Sequence, residues 1–177
     1  MEWVGNMNEI YRREKLAVRL QPSLVKNLNF AGRMSIWGIR LLATGYKLEI
    51  DVVKSLIEGF RRCNATQAGS NLLFLMEIVL EGLIKSLEIN CSCNLKLTDD
   101  ENKLLDLLSF GQHFGVVPEQ IMLFDFLSEE AVDNVIPLFN GYGDAMRDAG
   151  LLLPNLDKRY LELLSITNLM KPGSKYI

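Results

Sequence analysis

The side chains able to do nucleophilic or metal chemistry in this 177-residue chain are few: three cysteines and one histidine. Cys91-Ser92-Cys93 is the most specific grouping, since two thiolates one residue apart can hold the same soft cation or exchange with a disulfide. With Cys63 and His113 they would make up a Cys₃His zinc set, although the usual C-x₂₋₄-C spacing is missing. The alternative is that the cysteines pack as small apolar residues. An odd number of cysteines in a reducing compartment speaks against a disulfide scaffold and leaves free thiols or a metal site. With His113 alone, a histidine triad or multi-histidine centre has too few members, and His113 reads as a cation near a helix C-terminus or a hydrogen-bonded core residue.

Carboxylates are plentiful between Asp99 and Asp133, where Lys103 is the one Lys or Arg. Paired carboxylates can bind a cation or do acid–base work, but no Glu-x-x-His pair of the di-iron kind occurs, and a solvated helical face accounts for most of them. Phosphate-cradling glycine loops, a nucleophile elbow and H-E-x-x-H are all missing from the sequence. No catalytic residue and no cofactor other than zinc is therefore nominated.

Charge is uneven. Residues 1 to 47 hold eight Lys or Arg against three acids, a balance of +5, so the remainder of this chain of net charge -3 must carry -8. Clustered positive charge can release counterions from nucleic acid. This stretch lacks interleaved aromatics and the whole chain is acidic, pI ≈ 5.3, so docking on an acidic body, its own or a neighbour's, is the preferred reading and nucleic acid is not. The segment Met1 to Ile10 has no apolar signal-peptide core, and Leu72 to Ile84 is interrupted by Glu77 and Glu81 and falls short of the ~20 residues a bilayer requires. A cytoplasmic protein without membrane contact is expected.

The elements that must position these residues are helical. A first helix is predicted from about Met7 to Leu20. A second places Phe30, Met34, Trp37 and Leu41 on one face and closes at Gly45. Asp51 can cap a third, with Val52, Val53, Leu56, Ile57 and Phe60 as its stripe and Arg61 and Arg62 in its last turn. After a turn at Asn64 to Gly69, Asn71 opens an apolar helix through Leu87, and Glu88 to Leu97 is the one extended stretch. Thr98 and Glu101 form a capping box for a helix from Asp99 to about Phe114. Further helices are predicted from Pro118 to Phe126 or Leu127, from Ser128 with a kink or break near Pro137 and Gly141, and from Asn155 to Lys171. The prediction is an all-α single domain of about six to eight helices, a bundle or orthogonal array: a basic arm or helix over 1–28, a core over 29–154 and a C-terminal amphipathic helix and tail over 155–177.

The runs Gly38-Ile39-Arg40-Leu41-Leu42-Ala43, Gly59-Phe60, Cys91-Ser92-Cys93 and Leu97-Thr98-x-Asp100-Glu101-x-x-Leu104-Leu105, with Asp148-Ala149-Gly150 and Leu153-Pro154, resemble a family of small helical proteins of unknown function from alphaproteobacteria of the sphingomonad type. The resemblance spans about Phe30 to Pro154. It implies a bacterial cytoplasmic protein and transfers no site residues. Mean hydropathy of +0.11, a terminal amphipathic helix and a charge-asymmetric arm point to a non-enzymatic interaction or regulatory protein that self-associates as a homo-oligomer, with a further protein partner as an option. The alternative is a metal- or thiol-dependent regulator acting through Cys91-Ser92-Cys93.

Overall fold

The computed structural model describes residues 24–115 and 126–154. A 3₁₀ turn at Val25–Asn27 leads into α1 (Phe30–Leu48), started by Asn29, whose side chain accepts the Gly32 amide at 2.8 Å. Then come α2 (Val53–Arg61), α3 (Thr66–Glu81), α4 (Asp99–Phe114) and α5 (Glu129–Asp148). The described fold is all-α, with five α-helices where six to eight were expected over the whole chain, and isolated bridges at Leu24–Lys96 and Leu83–Leu127. The predicted helices at Met7 to Leu20 and Asn155 to Lys171 lie outside the described residues. So does most of the one begun at Pro118, of which Phe126 and Leu127 form a turn and a bridge.

Local chemistry accounts for the clearest boundaries. Thr98 and Glu101 make the full reciprocal capping box of α4, with three acids in the first turn facing the positive end of the helix dipole. Ser128 accepts the Ala131 amide and opens α5. Asp51 accepts the Val53 amide at 3.0 Å.

Four expectations need correction. Gly45 does not close α1; the helix runs on to Leu48 and Glu49 takes the left-handed cap, φ 55° and ψ 40°. Gly45 is needed because the returning chain lays Val52 and the Ile50 carbonyl against it, leaving no space for a Cβ. The face Phe30, Met34, Trp37, Leu41 is only partly the buried one: Met34 is buried and Leu41 half-buried, but Phe30 is exposed and Trp37 lies at the edge, while Ala31, Ser35, Gly38, Ile39 and Leu42 also point inward. The apolar helix starts at Thr66 rather than Asn71 and stops at Glu81 rather than Leu87, because Ala68 is buried and Gly69 seats the ring of Phe60, so the apparent turn residues are the contact surface of α3. Finally, α5 passes through Pro137 unbroken. Proline frees the carbonyl of residue 133 from its helical partner, and both Asp133 and Pro137 are exposed, so water can take that bond.

Helix α5 is central, packing along both α3 and α4, with α1 and α2 laid against α3. At the α4–α5 crossing the backbones meet: a Cβ on Gly111 would strike the Phe139 carbonyl, and one on Gly143 would strike the backbone of Gln112. Phe60, Phe110, Phe126, Phe139 and Tyr142 fill the core, and the Tyr142 hydroxyl is matched by Ser35 at 2.7 Å. Burial pushes the Tyr142 phenol well above its ordinary range, an effect only partly countered by the Ser35 bond.

Candidate functional site: a clamped thiol loop and an apolar corner

The segment between α3 and α4 carries Cys91-Ser92-Cys93, and its shape is set from beneath by two charges. Arg40 of α1 is 2% exposed and Glu101 of α4 fully buried. The guanidinium donates to both carboxylate oxygens, Nε to Oε1 at 2.7 Å and Nη2 to Oε2 at 2.9 Å, and also to the carbonyls of Asn94 at 2.6 Å and Lys96 at 2.8 Å. Glu101 accepts in addition the amides of Asn90 and Thr98, both at 3.0 Å. A buried ion pair recovers its desolvation penalty only when the remaining donors and acceptors are also satisfied, and here the chain that flanks the cysteines does this. Asn90 before the motif and Asn94 after it hang from one buried pair.

Above this clamp the loop is exposed at Cys91, Ser92 and Cys93. Asn94 donates its amide to the Cys91 carbonyl at 3.0 Å, closing a turn, and the two cysteines are joined by a disulfide with Cα atoms 5.4 Å apart. Neither cysteine packs as a small apolar residue, and neither is a free thiol. A ring closed over so short a span removes little entropy from the unfolded chain, about 1.6 kcal/mol on the chain-entropy relation, roughly half of what a 15-residue loop provides. The bond is a poor staple for a domain of this size.

Cys63 lies elsewhere, partly buried against the core in the turn after α2, with its thiol free. His113 stands in the last turn of α4, exposed, with Nε2 3.2 Å from the Leu153 carbonyl. Among the described residues no three His, Cys, Asp or Glu side chains converge to hold a metal ion, so Cys63, Cys91, Cys93 and His113 are not brought together as a zinc set. Most described acids between Asp99 and Asp133 do face outward, but Glu101 is buried, and Arg40, counted with the basic N-terminal part, is its partner. The capping box already marked Glu101 as fixed at one end. Nothing near Arg40 in sequence marks it.

The second notable region is the corner between α1 and α2. Tyr46, Leu48, Ile50 and Val53 are all exposed, the first three by more than half, within eight residues. With Leu73, Met76 and Leu80 from α3 the corner borders an open cleft of about 580 Å³, whose charged lining residues are Glu49, Asp51 and Glu77. The alternation of apolar and charged residues from Tyr46 to Val53 was a visible sequence signal of a chain with two unlike faces. Further along α2, Glu58 sits between Arg61 and Arg62, whose guanidinium groups hold its exposed carboxyl down to about 2.

Comparison with protein-family models, with curated proteins and with solved structures finds no match to this chain. No helix among the described residues is long and apolar enough to cross a membrane.

Proposed function

We propose that this is a non-enzymatic helical interaction protein that self-associates through the α1–α2 corner. The observation that carries the reading is the run of exposed Tyr46, Leu48, Ile50 and Val53, of which Tyr46, Ile50 and Val53 line the cleft. Single exposed hydrophobes are ordinary on any protein surface, whereas several gathered around a concavity mark a contact surface. A second copy of the chain is the preferred occupant, because the acidic lining of the cleft suits the basic balance of residues 1 to 47, which is still +4 without the buried Arg40, seven Lys or Arg against three acids. A bacterial cytoplasmic setting is part of the proposal, supported by the sphingomonad-type resemblance.

Light scattering on the purified chain at micromolar concentration tests the proposal. A mass above that of one chain, returning to the monomer mass in Leu48→Glu and Ile50→Asp variants of unchanged helical content, is expected. A monomer in the unaltered protein, or an oligomer indifferent to both substitutions, rejects the reading.

A further inference from the structure

We infer that Cys91 and Cys93 form a dithiol–disulfide exchange site that reacts with low-molecular-weight thiols. Three observations carry this, none of which involves the α1–α2 corner. Both cysteines are exposed, so an incoming thiolate has access to the sulfurs. Their bond closes too short a ring to act as a useful staple. The chain on either side is fixed independently of that bond: Asn90 is held by Glu101, and Asn94 and Lys96 by Arg40. The loop therefore does not need the sulfur–sulfur bond to keep its course, and two thiols left after reduction remain on a turn already shaped for their reunion. Pre-positioning of two reacting groups raises their effective concentration, which makes closure fast and favourable.

The chemistry balances as ordinary exchange. A donor thiolate attacks one of the two sulfurs, the Cys91–Cys93 bond breaks, a mixed disulfide forms and the other cysteine leaves as a thiolate that takes a proton from water. A second donor thiolate attacks the donor sulfur of the mixed disulfide and expels the remaining cysteine thiolate, which is protonated in turn. Two donor thiols become one donor disulfide, and the protein gains two electrons and two protons. Closure is the reverse, with the donor disulfide as the oxidant. Cys63, partly buried after α2, takes no part.

The experiment equilibrates the full chain, without denaturant, in a series of glutathione buffers from wholly oxidised to wholly reduced. Each sample is then quenched in acid, unfolded, alkylated with N-ethylmaleimide and weighed by intact mass spectrometry. A reversible passage from one adduct to three within the series, reached from either direction and with the helical circular dichroism unchanged, is the expected result. In Cys63→Ser the same passage should run from none to two. One adduct at every ratio would make the bond a fixed structural disulfide, and three at every ratio would mean that it does not form; either overturns the proposal. Helical signal lost together with the bond, or a passage abolished by Cys63→Ser, overturns it as well.

Discussion

The thiol loop and the α1–α2 corner break the usual burial pattern in opposite directions. Under the loop a full ion pair lies inside the protein; at the corner four large apolar side chains lie outside it. The first violation is repaired within the chain, since Arg40 and Glu101 bond each other and also Asn90, Asn94, Lys96 and Thr98 around the cysteine motif. The second has no such repair among the described residues. An inward charge that is fully bonded serves to fix local shape, whereas outward apolar area left uncovered is available for contact.

The sharpest way to break this contrast is to remove one half of the buried pair. Glu101→Ala leaves Arg40 uncompensated in the interior and should lower stability by about 3–5 kcal/mol in urea unfolding, while Arg40→Met with Glu101→Leu together should recover much of the loss. A midpoint unmoved by the single change would show that the charges are not shut away from water. Next comes the helix crossing that holds α4, and thus Glu101, in place. Gly143→Ala has to push backbone aside and should lose about 1–3 kcal/mol by the same assay, unlike Gly141→Ala in the same helix, where a Cβ meets only the end of the Asn71 side chain, at 3.2 Å.

A gentler test uses alkali. Tyr142 keeps its proton in the folded protein, whereas the unfolded chain releases it near the ordinary phenol value of about 10. The folded state then holds more protons, so stability should fall as pH rises above about 10, with a slope of up to about 1.4 kcal/mol per pH unit from this group. Tyr142→Phe should flatten that slope; an unchanged slope would mean that the hydroxyl is not the source. At the corner, Ile50→Asp should alter stability by no more than about 0.5 kcal/mol although it removes assembly. The smallest effect is expected from Glu58, whose folded value of about 2 lies below its ordinary value of 4.5. Its contribution is present above that ordinary value and is lost as pH falls towards 2, and because the group is exposed, Glu58→Gln should barely change the acid unfolding curve.

What the sequence disclosed follows from the range over which each signal acts. Thr98 with Glu101, and Ser128 with its following acids, are complete within four residues, and the starts of α4 and α5 were read correctly from them. Residue spacing set Glu88 to Leu97 apart as extended, but the chain there is irregular apart from the isolated bridge at Lys96, and the non-helical stretch already begins at Gly82. The pairing of Arg40 with Glu101 spans 61 residues and depends on how α1 and α4 are placed, so composition offered only an arm that was basic and a face that was acidic. The full inward face of α1 is hidden for a related reason: a 3.6-residue period locates apolar side chains around a helix but does not weigh the small residues, such as Gly38 against Leu72, that let a neighbour approach. The thiol pair was visible as a motif, but what holds it lay outside the motif.

The α4–α5 crossing carries an implication for descent. Positions 111 and 143 admit only hydrogen as a side chain, because the opposing helix brings main-chain atoms rather than adjustable side chains to each. Surface positions, and even many core ones, can drift through substitutions of similar volume. Two glycines 32 residues apart, each inside a helix, should therefore persist in any diverged copy of this gene that keeps the same helix arrangement, long after the cysteines or the apolar corner have changed.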